Sequence, residues 1–325
     1  MAASAPVQYG ADPLQFIIPY NSGTTGAPTV IMFAASGFSS GPGLAASIGG
    51  NAINLQNAGY CVFIVSYRGS VAPIGTGGYP ANQQGGVAAW PMTFEDGVAG
   101  SIKALALAQS YGGTSNAIHY VGGSAGGSIA AIVAANMLDL GFVVDSVQTL
   151  SMNTDWYTAI PIYYADLNSG APLQSATDTG HLGNIANALG TFTNSGSGTN
   201  SPAAGSLEWH LNGGPGGFNL PNTYRTGAGW GAGYPTGSDI WTRDTFSPYA
   251  AAQRCSLKAS RCWWQLFNST DEDIPLDAAF TFLETMSNVG TMATVTVVPG
   301  ATHGYNLWSA SLPSIIQFIR QTSSH

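Results

Sequence analysis

Charged side chains are scarce in this chain. Asp, Glu, Lys and Arg together make up 7% of the 325 residues, against about 25% in ordinary soluble domains. The formal net charge at pH 7 is −8, from 16 acidic and 8 basic residues, and the sequence contains no basic patch. Such a surface repels the phosphate backbone, so we do not expect the protein to bind nucleic acid.

Long hydrophobic runs are also missing. No apolar stretch reaches the roughly 20 residues that cross a bilayer as a helix, so we expect no membrane span. Even so, 45% of the residues are hydrophobic, which is typical of a folded chain and not of a disordered one. The length allows one large domain or two average ones, with a substantial core.

Cysteine is rare, with three in the whole chain. Cys61 lies in an apolar run, whereas Cys255 and Cys262 are close enough in sequence to form a small-loop disulfide. Residues 1–6 have neither the basic start nor the apolar core of a signal peptide. The low charge, the few lysines and the possible disulfide favour a secreted or extracytoplasmic protein. A cytoplasmic protein is the alternative.

Apolar runs alternate with helical patterns along most of the chain. This alternation predicts an α/β fold with a mostly parallel central sheet flanked by helices. The predicted strands are residues 29–35, 60–67, 117–122, 143–152, 262–268 and 292–299. The predicted helices are residues 43–59, 93–111, 124–138, 276–288 and 312–321.

One region interrupts the alternation. Residues 153–246 are rich in Gly, Asn and Thr and carry many aromatic side chains. A segment of this length without regular elements is usually functional or disordered, and the aromatic content argues against disorder. We therefore predict an inserted cap or lid at 153–246, and a catalytic core formed by 1–152 and 247–325. A surface excursion held down by its own aromatic residues is the alternative.

The most informative motif is Gly122-Gly123-Ser124-Ala125-Gly126-Gly127, between a predicted strand and a predicted helix. A serine with glycines two residues away on both sides, at such a turn, is typical of a nucleophile elbow. The glycines are needed because a Cβ at either position would clash in the strained turn. Residues 37–41 match the same pattern around Ser39, but Ser39 lies several residues beyond its strand. Ser124 is therefore the predicted nucleophile.

A serine hydroxyl needs a base within hydrogen-bond reach and an acid that orients this base. In the elbow architecture the three groups follow in the order Ser, Asp or Glu, His, and each follows a strand. The acidic turn Asp271-Glu272-Asp273 follows one late apolar run, and His303 follows the next. The order predicts His303 as the base and one residue of the acidic turn as its partner.

Several separated stretches resemble the α/β-hydrolase esterases, in particular the branch that includes hormone-sensitive lipase and carbohydrate esterases. The resemblance covers about residues 28–155 and 246–320. The matching stretches are Ser66-Tyr67-Arg68 with Ala72-Pro73, Pro91-Met92-Thr93-Phe94-Glu95-Asp96, Gly122-Gly123-Ser124-Ala125-Gly126-Gly127, Ser247-Pro248-Tyr249, Asp271-Glu272-Asp273-Ile274-Pro275 and His303-Gly304-Tyr305.

The resemblance implies an α/β-hydrolase fold and a serine hydrolase that cleaves carboxylic esters without a metal or cofactor. Ser124 corresponds to the nucleophile, His303 to the base and Asp271 to the orienting acid. Asp271 stands four residues before Pro275, as in the family pattern, and Asp273 is the alternative. Arg68 is expected to have a structural role, paired with Glu95 or Asp96. A peptidase or amidase with the same triad, or an inactive binding module of this fold, are the alternative functions.

The sequence departs from the branch at the predicted oxyanion hole. The branch has His-Gly-Gly-Gly after its early strand, where this chain has Ala34-Ala35-Ser36-Gly37-Phe38. Backbone N–H groups stabilise an oxyanion, so loss of the histidine side chain does not by itself remove the function. The expected donors are the N–H groups of Ala125, Gly37 and Ser36.

The substrate is expected to be a small-molecule or polysaccharide-linked ester with a short-chain or aromatic acyl group. Aromatic side chains in the cap suit sugar rings and phenolic groups. The candidate substrate-binding residues are Trp156, Tyr157, Trp209 and Trp230. His210, beside Trp209, is a further candidate for substrate contact, whereas His119, His181 and His325 are expected to be ordinary polar residues.

Overall fold

The computed structural model describes residues 3–35, 42–68, 92–152, 154, 248, 262–270, 276–300 and 302–323. Within these ranges the chain forms one eight-stranded sheet in the order β1-β2-β4-β3-β5-β6-β7-β8. The strands are β1 (Val7–Gln8), β2 (Phe16–Tyr20), β3 (Ala27–Phe33), β4 (Cys61–Val65), β5 (Gly113–Gly123), β6 (Ser146–Leu150), β7 (Trp263–Ser269) and β8 (Ala293–Val298). The helices are α1 (Pro42–Ser47), α2 (Gly49–Asn57), α3 (Met92–Ala108), α4 (Ala125–Asp139), α5 (Leu276–Asn288) and α6 (Trp308–Thr322).

The sheet is mostly parallel. β2 pairs antiparallel with β1 and β4, and every pairing from β4 through β3, β5, β6 and β7 to β8 is parallel. Each of the six predicted strands is present, which confirms the alternation read from the sequence. The central strands β4 and β6 are buried along their whole length, as expected for a parallel sheet covered on both faces.

Two apolar layers cover the sheet. Side chains of α3, α4 and α5 pack on one face, and those of α1, α2 and α6 pack on the other. Helix α4 carries a run of buried residues from Ala125 to Leu138, and its small side chains allow it to lie close to the central strands. The predicted arrangement of helices on both faces is confirmed.

The boundaries differ from the sequence prediction at a few positions. The N-terminal strands β1 and β2 were not predicted, because β1 has two residues and Pro19 interrupts the strand pattern of β2. The helix predicted over 43–59 is divided into α1 and α2. Helix α6 begins at Trp308, with Pro313 inside it, whereas the predicted helix began at residue 312.

Arg68, three residues after the end of β4, is hydrogen-bonded to Asp96 in α3. The guanidinium makes two hydrogen bonds to the Asp96 carboxylate, of 2.7 and 2.8 Å, and the Arg68 N–H donates a third of 2.9 Å. Gln15 Nε2 also donates to Asp96, and Thr93 Oγ1 donates to the Arg68 carbonyl at 2.9 Å. The expected structural pairing of Arg68 is thus confirmed, with Asp96 as its partner.

The cysteines are buried where the structure describes them. Burial raises the pKa of the Cys61 thiol to about 12, and Cys262 is also buried. Cys255 lies outside the described residues, so the Cys255–Cys262 disulfide stays a prediction. Among the helices of the described ranges, none has the length and apolar character to cross a membrane.

Candidate active site

The carboxyl ends of the parallel strands meet at one edge of the sheet. Ser124 directly follows β5, Ser151 directly follows β6, and His303 follows β8 by five residues. In open α/β sheets, ligands bind outside the carboxyl ends of the strands. The sequence-predicted nucleophile and base therefore lie at the edge where a site is expected.

Ser124 has an unusual backbone conformation. Its φ is 53° and its ψ is −125°, a region that residues with a Cβ rarely adopt and that carries strain. The Ser124 N–H donates to the Leu150 carbonyl at 2.7 Å, so β6 holds the turn in place. The turn places the serine at the N-cap of α4.

The glycines on both sides of Ser124 have a steric cause. A Cβ added to Gly122 would lie 2.1 Å from the Gly126 carbonyl oxygen, and one added to Gly126 would lie 2.4 Å from the Ala34 carbonyl oxygen. Both neighbours are backbone atoms, which cannot move without shifting β3 or the turn. The spacing of glycines two residues before and after Ser124 thus follows from the close approach of three backbone segments.

Ser124 and His303 are brought together. Ser124 Oγ lies 2.8 Å from His303 Nε2, which is hydrogen-bond distance. Both side chains are half-buried. Gly304 lies against this pair, because a Cβ added to it would be 3.6 Å from the Cβ atoms of Ser124 and Ala35. The imidazole is placed to accept the proton of the serine hydroxyl.

Ser151 holds the histidine loop. Its hydroxyl oxygen accepts a hydrogen bond of 2.9 Å from the Gly304 N–H, directly after His303. Ser151 is fully buried and has a φ of 56°, so it shares the positive φ of Ser124. Its N–H donates to the Phe267 carbonyl at 2.7 Å. Through Ser151, the ends of β6 and β7 fix the backbone beside His303.

The start of the acidic turn is tied to the histidine loop. Thr270, at the end of β7, accepts a hydrogen bond of 3.0 Å from the Gly300 N–H through its hydroxyl, and its own N–H donates to Val298 at 3.1 Å. Ser269 also donates to the Gly300 carbonyl. Asp271 and Asp273 themselves lie outside the described residues, so the choice between them stays a prediction.

The predicted oxyanion donors are described in part. Ala125 is the first residue of α4, where backbone N–H groups have no partner within the helix. Ser36 and Gly37 lie outside the described residues, but Ala34 and Ala35 before them are described. The Tyr67 hydroxyl donates to the Ala34 carbonyl at 3.2 Å.

The cap candidates lie outside the described residues. They are Trp156, Tyr157, Trp209 and Trp230, together with His210 and His181. Of the predicted cap at 153–246, only Thr154 is described. Their roles remain predictions. Within the described ranges, no group of three or more His, Cys, Asp or Glu side chains is placed to hold a metal ion.

His119 lies away from this edge of the sheet. Its ring nitrogens are 2.7 Å from Ser146 Oγ and 2.8 Å from Ser323 Oγ. Burial lowers the pKa of His119 to about 3, so the ring is uncharged at neutral pH. It links β5 and β6 to the residue that follows α6, which agrees with the expected role as an ordinary polar residue.

Ser151 and the Tyr305 hydroxyl were not predicted as part of the site. Ser151 is the first residue after a buried parallel strand, and this position alone is a signal for a site residue. Tyr305 was recognised only as the aromatic residue of the His303-Gly304-Tyr305 stretch. Its hydroxyl donates to the Phe33 carbonyl at 2.8 Å, a contact between distant segments that no local pattern reveals.

No family model matches the sequence, and no curated protein is significantly similar to it. Solved structures do match. An esterase B from Lactobacillus rhamnosis is 15% identical, with a TM-score of 0.59 over 99% of this chain and 85% of the other. A carboxyl esterase 2 from the fungus Tuber melanosporum is 14% identical, with a TM-score of 0.61 over 99% and 88%.

A hormone-sensitive lipase from a metagenome library is also similar, at 16% identity and a TM-score of 0.54 over 99% of this chain and 88% of the other. Identities this low carry the fold and not the activity. The sheet order, the helices on both faces and these likenesses agree with the architecture predicted from the sequence: the chain has the α/β-hydrolase fold.

Proposed function

We propose that the protein is a serine hydrolase that cleaves carboxylic esters through an acyl-enzyme intermediate. The observation that carries the proposal is the 2.8 Å distance between Ser124 Oγ and His303 Nε2. Ser124 lies on a strained strand-to-helix turn at the carboxyl ends of parallel strands, as the nucleophile of an elbow does. The structural neighbours described above, two esterases and a lipase, add support.

In the acylation step, Ser124 Oγ attacks the carbonyl carbon of the ester while its proton passes to His303 Nε2. The carbonyl oxygen becomes an oxyanion, and its collapse expels the alcohol, which takes the proton from His303. Water then attacks the acyl-enzyme with His303 again as base, which releases the acid and restores Ser124. Asp271 is assigned to hold the imidazole in the correct orientation and to stabilise its protonated form.

The oxyanion is assigned to backbone N–H groups. Ala125 supplies one at the first turn of α4, where the helix dipole also favours negative charge. The other donors are assigned to Gly37 and Ser36, which follow β3 in the sequence. Removal of one such donor typically lowers kcat by about 10²- to 10³-fold, so these groups account for a large part of the expected rate.

The acyl group is assigned as short-chain or aromatic, and the alcohol as a small molecule or a sugar. The support for this is compositional: Trp156, Tyr157, Trp209 and Trp230 lie in the aromatic-rich segment predicted to form the cap. Matched ester and anilide substrates would separate an esterase from an amidase with the same triad.

The test uses p-nitrophenyl acetate and butyrate together with a fluorophosphonate that labels activated serines. We expect the wild-type chain to hydrolyse the esters and to carry the label on the Ser124 peptide. Ser124→Ala should lose both ester hydrolysis and labelling. Ser39→Ala is the matched control, because Ser39 is the centre of the other Gly-x-Ser-x-Gly match, and it should retain both. A label on Ser39, or no label on folded protein, would contradict the proposal.

A further inference from the structure

We propose that Tyr305 is a positioning residue, whose hydroxyl couples the histidine loop to the backbone at the end of β3. This inference rests on the proposed function, because it assigns a role to that backbone in the same site. Tyr305 lies two residues after His303, and its hydroxyl donates a hydrogen bond of 2.8 Å to the Phe33 carbonyl. One side chain thus joins the loop that carries the base to the strand that leads to the predicted oxyanion donors.

The Tyr305 ring is held against the nucleophile turn. A Cβ added to Gly123 would lie 2.7 Å from Tyr305 Cδ2 and 2.9 Å from Cε2. The ring also contacts Trp308, with the ring centroids 5.8 Å apart. This explains the glycine directly before Ser124, which the two-residue spacing of the motif does not require.

The backbone beyond β3 is held by such contacts because the sheet pairing of β3 ends at Phe33. Phe33 is the last residue of β3 and pairs with Val65 and Gly122. Beyond it, the Ala34 carbonyl accepts from the Tyr67 hydroxyl at 3.2 Å. The carbonyls of Phe33 and Ala34 are therefore both oriented by tyrosine hydroxyls.

Fixing these two carbonyls fixes the N–H groups that follow them. In a trans peptide unit the N–H points opposite the carbonyl, so the Phe33 carbonyl sets the direction of the Ala34 N–H. The Ala34 carbonyl sets that of Ala35 in the same way. Both carbonyls also lie against Gly126, where an added Cβ would be 2.5 and 2.4 Å from their oxygens. The backbone of Ala34 is thus held in position relative to Gly126, two residues after Ser124.

The hydroxyl keeps its proton under working conditions. Burial is the larger cause that raises the pKa of Tyr305 above its ordinary value, and the nearby Tyr67 adds to the effect. Tyr305 therefore remains a hydrogen-bond donor at neutral and mildly alkaline pH.

The experiment compares Tyr305→Phe with Tyr60→Phe. Both variants keep the ring and remove one hydroxyl that donates to a backbone carbonyl, but Tyr60 donates to Ile316 in α6, at 3.2 Å and away from the site. Preorganised geometry is worth about tenfold or more in rate. We expect kcat for p-nitrophenyl butyrate to fall about 5- to 50-fold in Tyr305→Phe with KM nearly unchanged, and to stay at the wild-type value in Tyr60→Phe.

A second measurement does not depend on hydrolysis. Amide hydrogen exchange in the peptide containing residues 33–35 should be faster in Tyr305→Phe than in the wild type and unchanged in Tyr60→Phe. The inference requires both results. An unchanged kcat, unchanged exchange, or an equal effect in Tyr60→Phe would each overturn it. If the wild-type chain hydrolyses no ester, the proposed function fails, and the exchange result alone decides whether Tyr305 holds this backbone.

Discussion

At the scale of single residues, the choice between Asp271 and Asp273 depends on the turn that begins at Thr270. Thr270, the last described residue before Asp271, is hydrogen-bonded to Gly300 and Val298. We expect Asp271→Asn to lower kcat on the order of 10²- to 10⁴-fold, because the imidazole loses its orienting acid. Asp273→Asn is the matched control and should remain close to wild type in steady-state assays. The reverse order of effects would assign Asp273 as the acid.

Ser151 combines a strained backbone with a hydrogen bond that the histidine loop needs. Ser151→Ala leaves the buried Gly304 N–H without its acceptor, and we expect the free energy of unfolding to fall by about 1–3 kcal/mol. Ser151→Gly loses the same acceptor but relieves the positive φ, so it should be more stable than Ser151→Ala by about 1 kcal/mol. Urea unfolding followed by fluorescence measures both. Equal stability of the two variants would show that the positive φ costs little.

At the scale of elements, two glycines in helices are expected to respond in opposite ways to substitution by alanine. Gly50 lies in α2, and an added Cβ there meets nothing within 4 Å, whereas at Gly126 in α4 it meets the backbone of Phe33 and Ala34. Alanine favours a helix over glycine by about 1 kcal/mol, so Gly50→Ala should raise the melting temperature and leave kcat unchanged. Gly126→Ala should lower both the melting temperature and kcat, because the end of β3 must move. Thermal unfolding and ester hydrolysis test the pair, and a stabilised Gly126→Ala with full activity would contradict the close approach.

The same elements show how much the sequence could predict. The alternation of apolar runs and helical patterns was enough to predict the six parallel strands and the helices between them. A parallel strand is buried on both faces of the sheet, so its sequence is a continuous apolar run. Ser124 and His303 could be predicted because Ser124 directly follows a strand, His303 lies in the loop after one, and each has a distinctive neighbour pattern. The hydrogen bonds of Ser151 and of the Tyr305 hydroxyl could not be predicted, since they join residues far apart in sequence, such as Phe33 and Tyr305.

The N-terminal strands were missed for a different reason. β2 is fully buried, but Pro19 removes a backbone donor and is depleted in strands. Its place near the edge of the sheet, beside the short β1, tolerates the proline. Tertiary position here outweighs the local preference, and that position is not visible in a single short segment.

At the scale of the whole molecule, the buried His119 links stability to pH. Burial lowers its pKa to about 3 in the folded chain, against about 6.5 in the unfolded chain. The unfolded state therefore binds a proton below about pH 6.5 that the folded state does not bind. Through this group, stability falls as the pH decreases from about 6.5 towards 3, by at most about 1.4 kcal/mol per pH unit.

Urea unfolding of the wild type and of His119→Gln between pH 4 and 7.5 measures this contribution. We expect the variant to be less stable at pH 7, because the contacts to Ser146 and Ser323 are altered, and to lose less stability on acidification. Parallel pH profiles for the two proteins would show that His119 takes up no proton on unfolding in this range.

The contacts of Arg68 hold together the residues on either side of the segment 69–91. Because Thr93 Oγ1 bonds the Arg68 carbonyl and Asp96 holds the Arg68 side chain, the chain leaves β4 and enters α3 at neighbouring points. Lengthening a loop whose ends are already fixed together costs little, about 0.6 kcal/mol for each doubling. We therefore expect changes in the length of the sequence between these two points to cost the fold little. The Arg68–Asp96 contact thus works as a clasp that closes the sheet core without depending on the length of the sequence between Arg68 and Thr93.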